Sequence, residues 1–246
     1  MKPSKARLAL LTLTIFSLPA WASHWGYEGE SAPEHWGELD NSFKTCQTGM
    51  NQSPINIDST LDAHLTPLKT HYSDGPTVLT NNGHTIQASE KADTRDTIAL
   101  DNKAWALEQF HFHAPSENTI HGKRYAMEMH LVHKNAAGEI AVVAVMFNEG
   151  QANAELDKLW GVMPQQAEQN ATLKTHLNLN ALLPDNKTYW RFSGSLTTPP
   201  CSEGVTWIVL KHPLTLSAAQ LEKFTHTMHH PNNRPVQPLH GRLVVE

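Results

Sequence analysis

The segment Trp105–His113, WALEQFHFH, alternates with the period of two that is typical of a β-strand. Because residues i and i+2 of a strand share a face, the odd-numbered residues are predicted to point one way. That face carries Trp105, Leu107, Gln109, His111 and His113. Phe110 and Phe112 lie on the opposite face and anchor it in the core. His111 and His113 then start about 7 Å apart and can converge on one ion.

The segment Ala126–His133, AMEMHLVH, has the same design. Its polar face is predicted to carry Ala126, Glu128, His130 and Val132. Its apolar face is predicted to carry Met127, Met129, Leu131 and His133, so His133 points away from the polar face. If the two strands are neighbours, His111, His113 and His130 form one site. Three neutral imidazoles with one open position are typical of catalytic zinc.

Hydrogen-bond acceptors stand two residues before two of these histidines. Gln109 precedes His111 and Glu128 precedes His130, each in the same strand phase. Each can accept a hydrogen bond from the ring nitrogen that does not bind metal, which fixes the orientation and basicity of the ring. The chain has 16 histidines, so a chance His-x-His pair is the alternative. The third histidine and the two acceptors weaken that alternative.

Other segments predict that the chain is mostly β. Ala141–Phe147 and Val205–Leu210 also alternate with period two, and turn clusters separate the strands. Two helices are predicted, one over Ala154–Trp160 and one that opens with a Ser217–Gln220 capping box and runs to about His230. No repeat or linker divides the chain, so we expect a single domain over residues 23–246.

The N-terminal residues predict a signal peptide over residues 1–22. Lys2, Lys5 and Arg7 precede an apolar run too short to span a bilayer, and Ala20-Trp21-Ala22 offers a cleavage pattern of small residues. A buried N-terminal helix is the alternative. Cleavage removes three cations, so the formal charge falls from −5 to −8. That charge gives no electrostatic reason to bind nucleic acid or an anionic membrane. The expected location of the exported, soluble protein is the periplasm, with release from the cell as the alternative.

Cys46 and Cys201 are the two cysteines of the chain. In an exported chain, two thiols predict one disulfide, which here closes a loop of 155 residue steps. Two unrelated free thiols are the alternative. Neither cysteine has another ligand at metal-site spacing, so both are left out of the metal site.

Seven motifs together resemble the α-class carbonic anhydrases, and in particular their secreted bacterial branch. They are HWGY at 24–27, QSPINI at 52–57, NNGH at 81–84, QFHFHAPSE at 109–117, EMHLVH at 128–133, SGSLTTPP at 193–200 and NRPVQP at 233–238. The likeness covers nearly all of residues 23–246. Each shorter motif is weak alone, but their order and spacing are specific. Cys46 and Cys201 also stand where that branch carries its disulfide.

The resemblance implies a mostly β (α+β) fold with a large, mostly antiparallel central sheet of about ten strands and a few short peripheral helices. It implies a lyase that reversibly hydrates carbon dioxide to bicarbonate and a proton, by attack of a zinc-bound hydroxide. The implied zinc ligands are His111, His113 and His130, and Gln109 and Glu128 support them. A weak esterase side activity is expected.

The resemblance also assigns roles that the strand phases do not. Thr197 accepts a hydrogen bond from the hydroxide and passes its own proton to Glu117, and His84 is the proton shuttle near the mouth of the cleft. The residues implied to form the apolar carbon dioxide pocket are Val132, Val142, Leu196, Val205 and Trp207. Those implied to order the water network or its polar wall are Tyr27, Asn82, Gln87 and Thr198.

The resemblance leaves some points open. Ala114-Pro115-Ser116 is shorter than the aromatic-rich insertion that several members carry before the glutamate, and Gln87 stands where some carry asparagine. Either Asn232 or Asn233 supplies the backbone contact that orients His113. A homodimer, which bacterial relatives often form, is also open.

Two other functions compete with this interpretation. His111-x-His113-x-x-x-Glu117 also fits the first motif of the cupins, in which the glutamate binds iron or manganese directly. The second cupin motif is missing. The other competitor is a non-catalytic carbonic-anhydrase-like binding protein. Such relatives usually lose a zinc ligand, whereas this chain keeps all three histidines.

Overall fold

The computed structural model describes residues 24–73, 75–91 and 93–246. The predicted signal peptide, residues 1–22, lies outside the described residues. Within them, no helix combines the length and apolar character that a membrane span requires.

Short helices and many strands alternate along these residues. The strands are β1 (Asn56–Ile57), β2 (Lys69–His71), β3 (Val78–Asn81), β4 (Ile86–Ser89), β5 (Thr97–Leu100), β6 (Lys103–His113), β7 (Thr119–Ile120), β8 (Met127–Asn135), β9 (Ile140–Glu149), β10 (Gln169–Thr172), β11 (Tyr189–Ser195), β12 (Glu203–Leu210) and β13 (Leu214–Leu216). The α-helices are α1 (Trp36–Leu39), α2 (Thr45–Thr48), α3 (Ala154–Trp160) and α4 (Ala218–Met228). Single 3-10 turns cover Gly29–Ser31, Asn41–Phe43 and Leu179–Leu182.

Eleven of the strands form one mixed sheet, whose main path runs β10-β3-β4-β6-β8-β9-β12-β11. β13 pairs with β9, β5 with β6, and β2 with β5, while β1 and β7 form a separate two-stranded sheet. Most neighbours in the large sheet are antiparallel, and β9 is parallel to both β12 and β13. The predicted fold class is confirmed, with 11 strands in the large sheet where about ten were expected.

The two ends of the main strand path are closed in different ways. β10 is a short, polar, mostly exposed strand of four residues. At the other edge, Arg191 of β11 exchanges two backbone hydrogen bonds with Val245, at 2.8 and 2.9 Å. A polar short strand and a paired segment each limit the unpaired backbone that a sheet edge exposes.

Both faces of the sheet are buried. On one face the core includes Phe112, whose ring contacts Trp160 of α3 and Phe224 of α4 edge-to-face, with centroids 5.0 and 6.2 Å apart. On the other face a second apolar cluster surrounds Trp207. The histidines of interest lie on this second face.

The long strands agree closely with the sequence prediction, except at a β-bulge in β6. The β6–β8 register shifts between Leu107 and Gln109, which leaves Glu108 as the extra residue. Trp105 and Leu107 are therefore buried in the same core cluster as Phe110 and Phe112. The prediction that they share the face of His111 and His113 is wrong, because one inserted residue turns every preceding side chain to the other face.

Both predicted helices form. α3 has the predicted bounds, and the Asn153 side chain accepts hydrogen bonds from the backbone of Glu155 and Leu156. α4 opens with the predicted Ser217–Gln220 capping box. It ends at Met228, and His229 takes the left-handed conformation that commonly closes a helix.

The predicted disulfide between Cys46 and Cys201 is confirmed, with the two Cα atoms 5.0 Å apart. The pair packs with Trp36 in a small cluster away from the main core. The alternative of two free thiols is wrong.

Candidate metal centre and cleft

Three imidazoles meet on adjacent strands of the large sheet. His111 and His113 extend from β6 and His130 from β8, where His111 and His130 are directly opposed partners. The ring centroids lie 5.0 Å apart for His111 and His113, 5.4 Å for His111 and His130, and 4.6 Å for His113 and His130. One ring nitrogen of each lies within 4.8 Å of the others. The strand phase thus brings together the residues that the sequence singles out.

The other nitrogen of each ring has an oxygen acceptor. The Nδ1–H of His111 donates to Gln109 Oε1 at 2.8 Å, and the Nε2–H of His130 donates to Glu128 Oε1 at 2.9 Å. The Nδ1–H of His113 donates to the backbone oxygen of Asn232 at 2.7 Å, so Asn232, and not Asn233, makes this contact. These bonds leave Nε2 of His111, Nε2 of His113 and Nδ1 of His130 as the free nitrogens.

The free nitrogens fit a zinc ion. Nε2 of His113 is buried and has no hydrogen-bond partner among the described residues, as expected for a ligand atom. Burial lowers the pKa of all three imidazoles, and the neighbouring His113 lowers the pKa of His111 and His130 further. Neutral imidazole is the form that binds metal, and three such ligands suit Zn²⁺.

Glu128 is held rigidly by donors that sequence reasoning missed. Its buried carboxylate accepts hydrogen bonds from the backbone nitrogens of Glu117 and Asn118, at 2.7 and 2.8 Å, and from the Asn118 side chain at 2.7 Å. With His130, that makes four donors for one carboxylate. Asn118 has no strand-phase signal, because it lies in the loop between β6 and β7.

Glu117 is also fully buried, and it lies beside the imidazoles without joining them. Its Oε1 accepts a hydrogen bond from the Arg234 backbone nitrogen at 2.8 Å and lies 3.6 Å from His113 Nδ1. Burial raises the pKa of Glu117 to about 8, although hydrogen bonds from Thr197 and from the Arg234 backbone act to lower it. The other oxygen of Glu117, Oε2, is buried and has no hydrogen-bond partner among the described residues.

Apolar side chains gather next to His130. Val142, Val205 and Trp207 are buried in one cluster, and Val132 and Leu196 pack against it. The Trp207 ring meets His130 edge-to-face, with centroids 4.9 Å apart, and its indole N–H donates to Ser195 O at 3.0 Å. The five apolar residues that were predicted from the sequence thus lie together in one cluster.

A cleft of about 110 Å³ opens above His111 and His113. Its walls are formed by Trp25, Tyr27, Asn82, His84, Thr85, Gln87, Gln109, His111, His113 and Thr198. Among these, the buried Tyr27 hydroxyl has no hydrogen-bond partner within the described ranges. Larger cavities, such as one of about 620 Å³ beside Glu90, lie away from the imidazoles.

Asn82 and Gln87 of the cleft wall both make side-chain hydrogen bonds. Asn82 Oδ1 accepts hydrogen bonds from the backbone nitrogens of His84 and Thr85, at 3.0 and 2.9 Å, and so holds the turn before β4. Gly83 takes a φ of 82° in this turn, a conformation that favours glycine. Gln87 donates from Nε2 to Ser89 Oγ at 3.0 Å.

His84 lies half-buried in the wall of the cleft. Its ring stacks on Trp25, with centroids 3.7 Å apart and planes within 10°, and the His24 ring lies 6.0 Å away. Burial, together with the neighbouring His24 and His230, lowers the pKa of His84 to about 4. Trp25 has no individual signal in the sequence beyond its place in the HWGY motif.

Both cysteines of the disulfide make backbone hydrogen bonds to segments that form this site. The backbone N–H of Cys201 donates to the backbone oxygen of Thr198, the residue after Thr197, at 2.9 Å. The buried guanidinium of Arg234 donates to Cys46 O at 2.9 Å, while the backbone of Arg234 holds Glu117. The cystine therefore links the Thr197 segment to the Glu117 partner.

Comparisons with known proteins agree on one family. A family model described as eukaryotic-type carbonic anhydrase matches residues 31–246. The chain is 68% identical to a carbonic anhydrase of Klebsiella pneumoniae over all of both chains, and 50% identical to one of Pectobacterium carotovorum over 98% of each.

Solved structures give the same result. The fold matches the α-carbonic anhydrase of Thermovibrio ammonificans, determined with the inhibitor sulfanilamide, with a TM-score of 0.89 and 47% identity. The match covers 92% of this chain and all of that one. The α-carbonic anhydrase of Photobacterium profundum matches with a TM-score of 0.85 at 50% identity, over 91% of this chain and all of that one. This chain is an enzyme that belongs to the α-carbonic anhydrase family.

Proposed function

We propose that this enzyme catalyses the zinc-dependent, reversible hydration of carbon dioxide to bicarbonate and a proton. The family supports carbon dioxide hydration in general. The observation that carries the zinc-dependent form is the set of three ring nitrogens within 4.8 Å, each ring oriented by an oxygen acceptor. The cupin alternative is wrong, because the chain belongs to another family and Glu117 is not part of the ligand set. The binding-protein alternative loses its support, because close relatives are named as enzymes.

His111 and His113 would hold the ion through Nε2, and His130 would hold it through Nδ1. A bound Zn²⁺ supplies a strong nucleophile at neutral pH by lowering the pKa of a water to about 7, the value for which carbonic anhydrase itself is the reference case. Gln109, Glu128 and the Asn232 carbonyl keep the rings in the orientation that metal binding needs.

Thr197 and Glu117 orient the reacting oxygen. Glu117 is buried as an acceptor, with one oxygen already occupied by the Arg234 backbone. In its ionised form Glu117 would accept a hydrogen bond from the Thr197 hydroxyl through Oε2, which is buried without another partner among the described residues, and the Thr197 oxygen would then serve as an acceptor toward the metal centre. An acceptor there fixes the direction of the attacking lone pair, which is the purpose of a preorganised site.

The apolar cluster beside His130 suits carbon dioxide. This substrate is small and has no strong hydrogen-bonding groups, so an apolar surface binds it better than polar side chains do. Val142, Val205 and Trp207 form that wall, with Val132 and Leu196 at its edge. Thr198 and the cleft residues Tyr27, Asn82 and Gln87 form the polar side, where ordered waters carry the product proton.

His84 takes up that proton at the cleft wall. Burial lowers the pKa of His84, so its imidazole is neutral at pH 7, which is the form that accepts a proton.

Replacing His84 with Ala is expected to lower turnover in weak buffer by roughly 10-fold or more, because proton transfer by a positioned group contributes at least that much. Imidazole in the buffer carries protons by itself and should restore the rate. Stopped-flow hydration assays at low buffer concentration, with and without imidazole, measure both effects. The exposed His121→Ala is the control and should match the parent protein. Unchanged turnover of His84→Ala in weak buffer removes His84 from the proton route.

The proposed reaction is tested on the purified protein with and without a zinc chelator. Hydration activity should disappear after chelation and dialysis and return on addition of one Zn²⁺ per chain. Activity that survives complete removal of zinc contradicts the proposal. A weak esterase activity should follow the same zinc dependence.

Export to the periplasm belongs to the same proposal. The Cys46–Cys201 disulfide supports it, because structural disulfides persist in oxidising compartments. Homodimer formation stays a prediction.

A further inference from the structure

Regular pairing between β4 and β6 ends below the histidine that we propose as the proton carrier. The paired residues are Ser89 with Gln109, Ala88 with Phe110, and Gln87 with His111. Beyond this point β6 continues through Phe112 to His113, whereas the other chain turns away through Thr85 and His84. No backbone ladder fixes the distance between His84 and the end of β6.

Side chains replace the missing ladder. The Thr85 hydroxyl donates to Phe112 O at 2.6 Å and accepts from Phe112 N at 3.1 Å. The side chain of Asn232, which is completely buried, makes the next connection. Its Nδ2 donates to His84 O at 3.0 Å and to Phe112 O at 2.9 Å, and its Oδ1 accepts from Ala114 N at 2.9 Å.

The Asn232 amide thus uses both donors and its acceptor. Its Nδ2 donates to the backbone of both Phe112 and His84, and its Oδ1 accepts from the backbone of Ala114, so the amide bonds the chain on either side of His113. The adjacent residue Thr85 makes the other connection from this turn to β6, through its two hydrogen bonds to Phe112. A planar, buried amide with all its hydrogen bonds made is a rigid spacer.

We propose that the Asn232 side-chain amide is a positioning residue for proton transfer, which holds His84 at a fixed place relative to the strand that bears His111 and His113. This inference rests on the proposed role of His84. It is separate from the Asn232 backbone oxygen, which orients the His113 ring. A proton carrier displaced by even about 1 Å loses much of its efficiency, so the amide affects the rate without touching substrate.

The test uses Asn232→Asp, which keeps an acceptor for Ala114 and loses both donors, and Asn232→Ala, which loses all three bonds. Both variants should lower turnover in weak buffer by roughly 10-fold, and imidazole should restore it. In a His84→Ala background neither should lower weak-buffer turnover further, because residues that act through one another are not additive. Asn233→Ala is the matched control, and its half-buried side chain makes no hydrogen bond among the residues that the structure describes.

A second readout does not depend on activity. The His84 ring protons lie over the Trp25 ring, so their NMR shifts report the stacking distance. These shifts should move in both Asn232 variants of the zinc-free protein and stay in place in Asn233→Ala. If Asn232→Asp folds poorly, Asn232→Ala carries the same comparison.

The outcomes separate this inference from the function on which it rests. Unmoved His84 shifts in both variants, or losses that persist in imidazole and add to His84→Ala, overturn the role of Asn232. If His84→Ala alone does not slow weak-buffer turnover, the proposed proton carrier is wrong, and the NMR comparison still decides whether Asn232 holds it in place.

Discussion

His130→Ala should lose its zinc and its hydration activity, whereas His133→Ala should keep its zinc. His130 presents Nδ1 to the two other free imidazole nitrogens, and Glu128 fixes its ring. Loss of an orienting partner alone costs about 10–100-fold in metal affinity, so the loss of a ligand should cost on the order of 10³-fold or more. Zinc per chain after dialysis, measured by atomic absorption, checks the prediction.

His133 is a demanding control because it lies on the same strand, three residues away. Its Nε2 lies 2.8 Å from the Tyr72 hydroxyl in the core, on the opposite face of the sheet. His133→Ala should therefore lower stability, by a few kcal/mol for a buried hydrogen-bonded side chain. Folded His133→Ala that has lost as much zinc as His130→Ala would refute the strand phase.

Removing the disulfide should give the largest loss of stability. The bridge spans 155 residues, and loop-entropy reasoning assigns about 5 kcal/mol to a loop of that length, at the upper end of what native disulfides contribute. For a chain of this size that corresponds to a fall of roughly 10–20 °C in Tm. Thermal unfolding of the double variant Cys46→Ala/Cys201→Ala measures the change.

The same variant should lose activity before it unfolds. Cys201 holds the backbone of Thr198, and Cys46 accepts a hydrogen bond from Arg234, whose own backbone holds Glu117. The Thr197 segment and Glu117 therefore both lose an anchor. The parent protein in a reducing agent should behave like the variant, and the variant should not respond to the reducing agent. A double variant with the Tm of the parent protein contradicts the prediction.

Strand phase predicted the centre of this site because its members obey local geometry. His111, His113 and His130 lie on two neighbouring strands, and a period of two is enough to place them on one face. The same rule failed for Trp105 and Leu107. Glu108 forms a bulge against β8, and whether a strand takes an extra residue depends on its partner, which a local pattern does not contain.

Contacts between residues far apart in the sequence could not be predicted from the residue pattern for a similar reason. Asn232 reaches His113 across 119 positions and Arg234 reaches Glu117 across 117, so neither contact follows from a period or a motif. The resemblance to a family supplied Thr197, Glu117 and His84 as candidates. It did not separate Asn232 from Asn233, because both fit a backbone contact and only the fold decides which one faces His113.

The way in which β10 and β11 end the main strand path affects how the protein should be handled. A strand at the end of a large sheet can pair with a strand of another chain. The strand β10 has only four residues and is polar, so it offers little backbone for such pairing. The edge of β11 is covered at Arg191 by its two backbone hydrogen bonds with Val245. Removing the last few residues should expose the backbone of β11 at Arg191 and favour edge-to-edge association between copies of the chain.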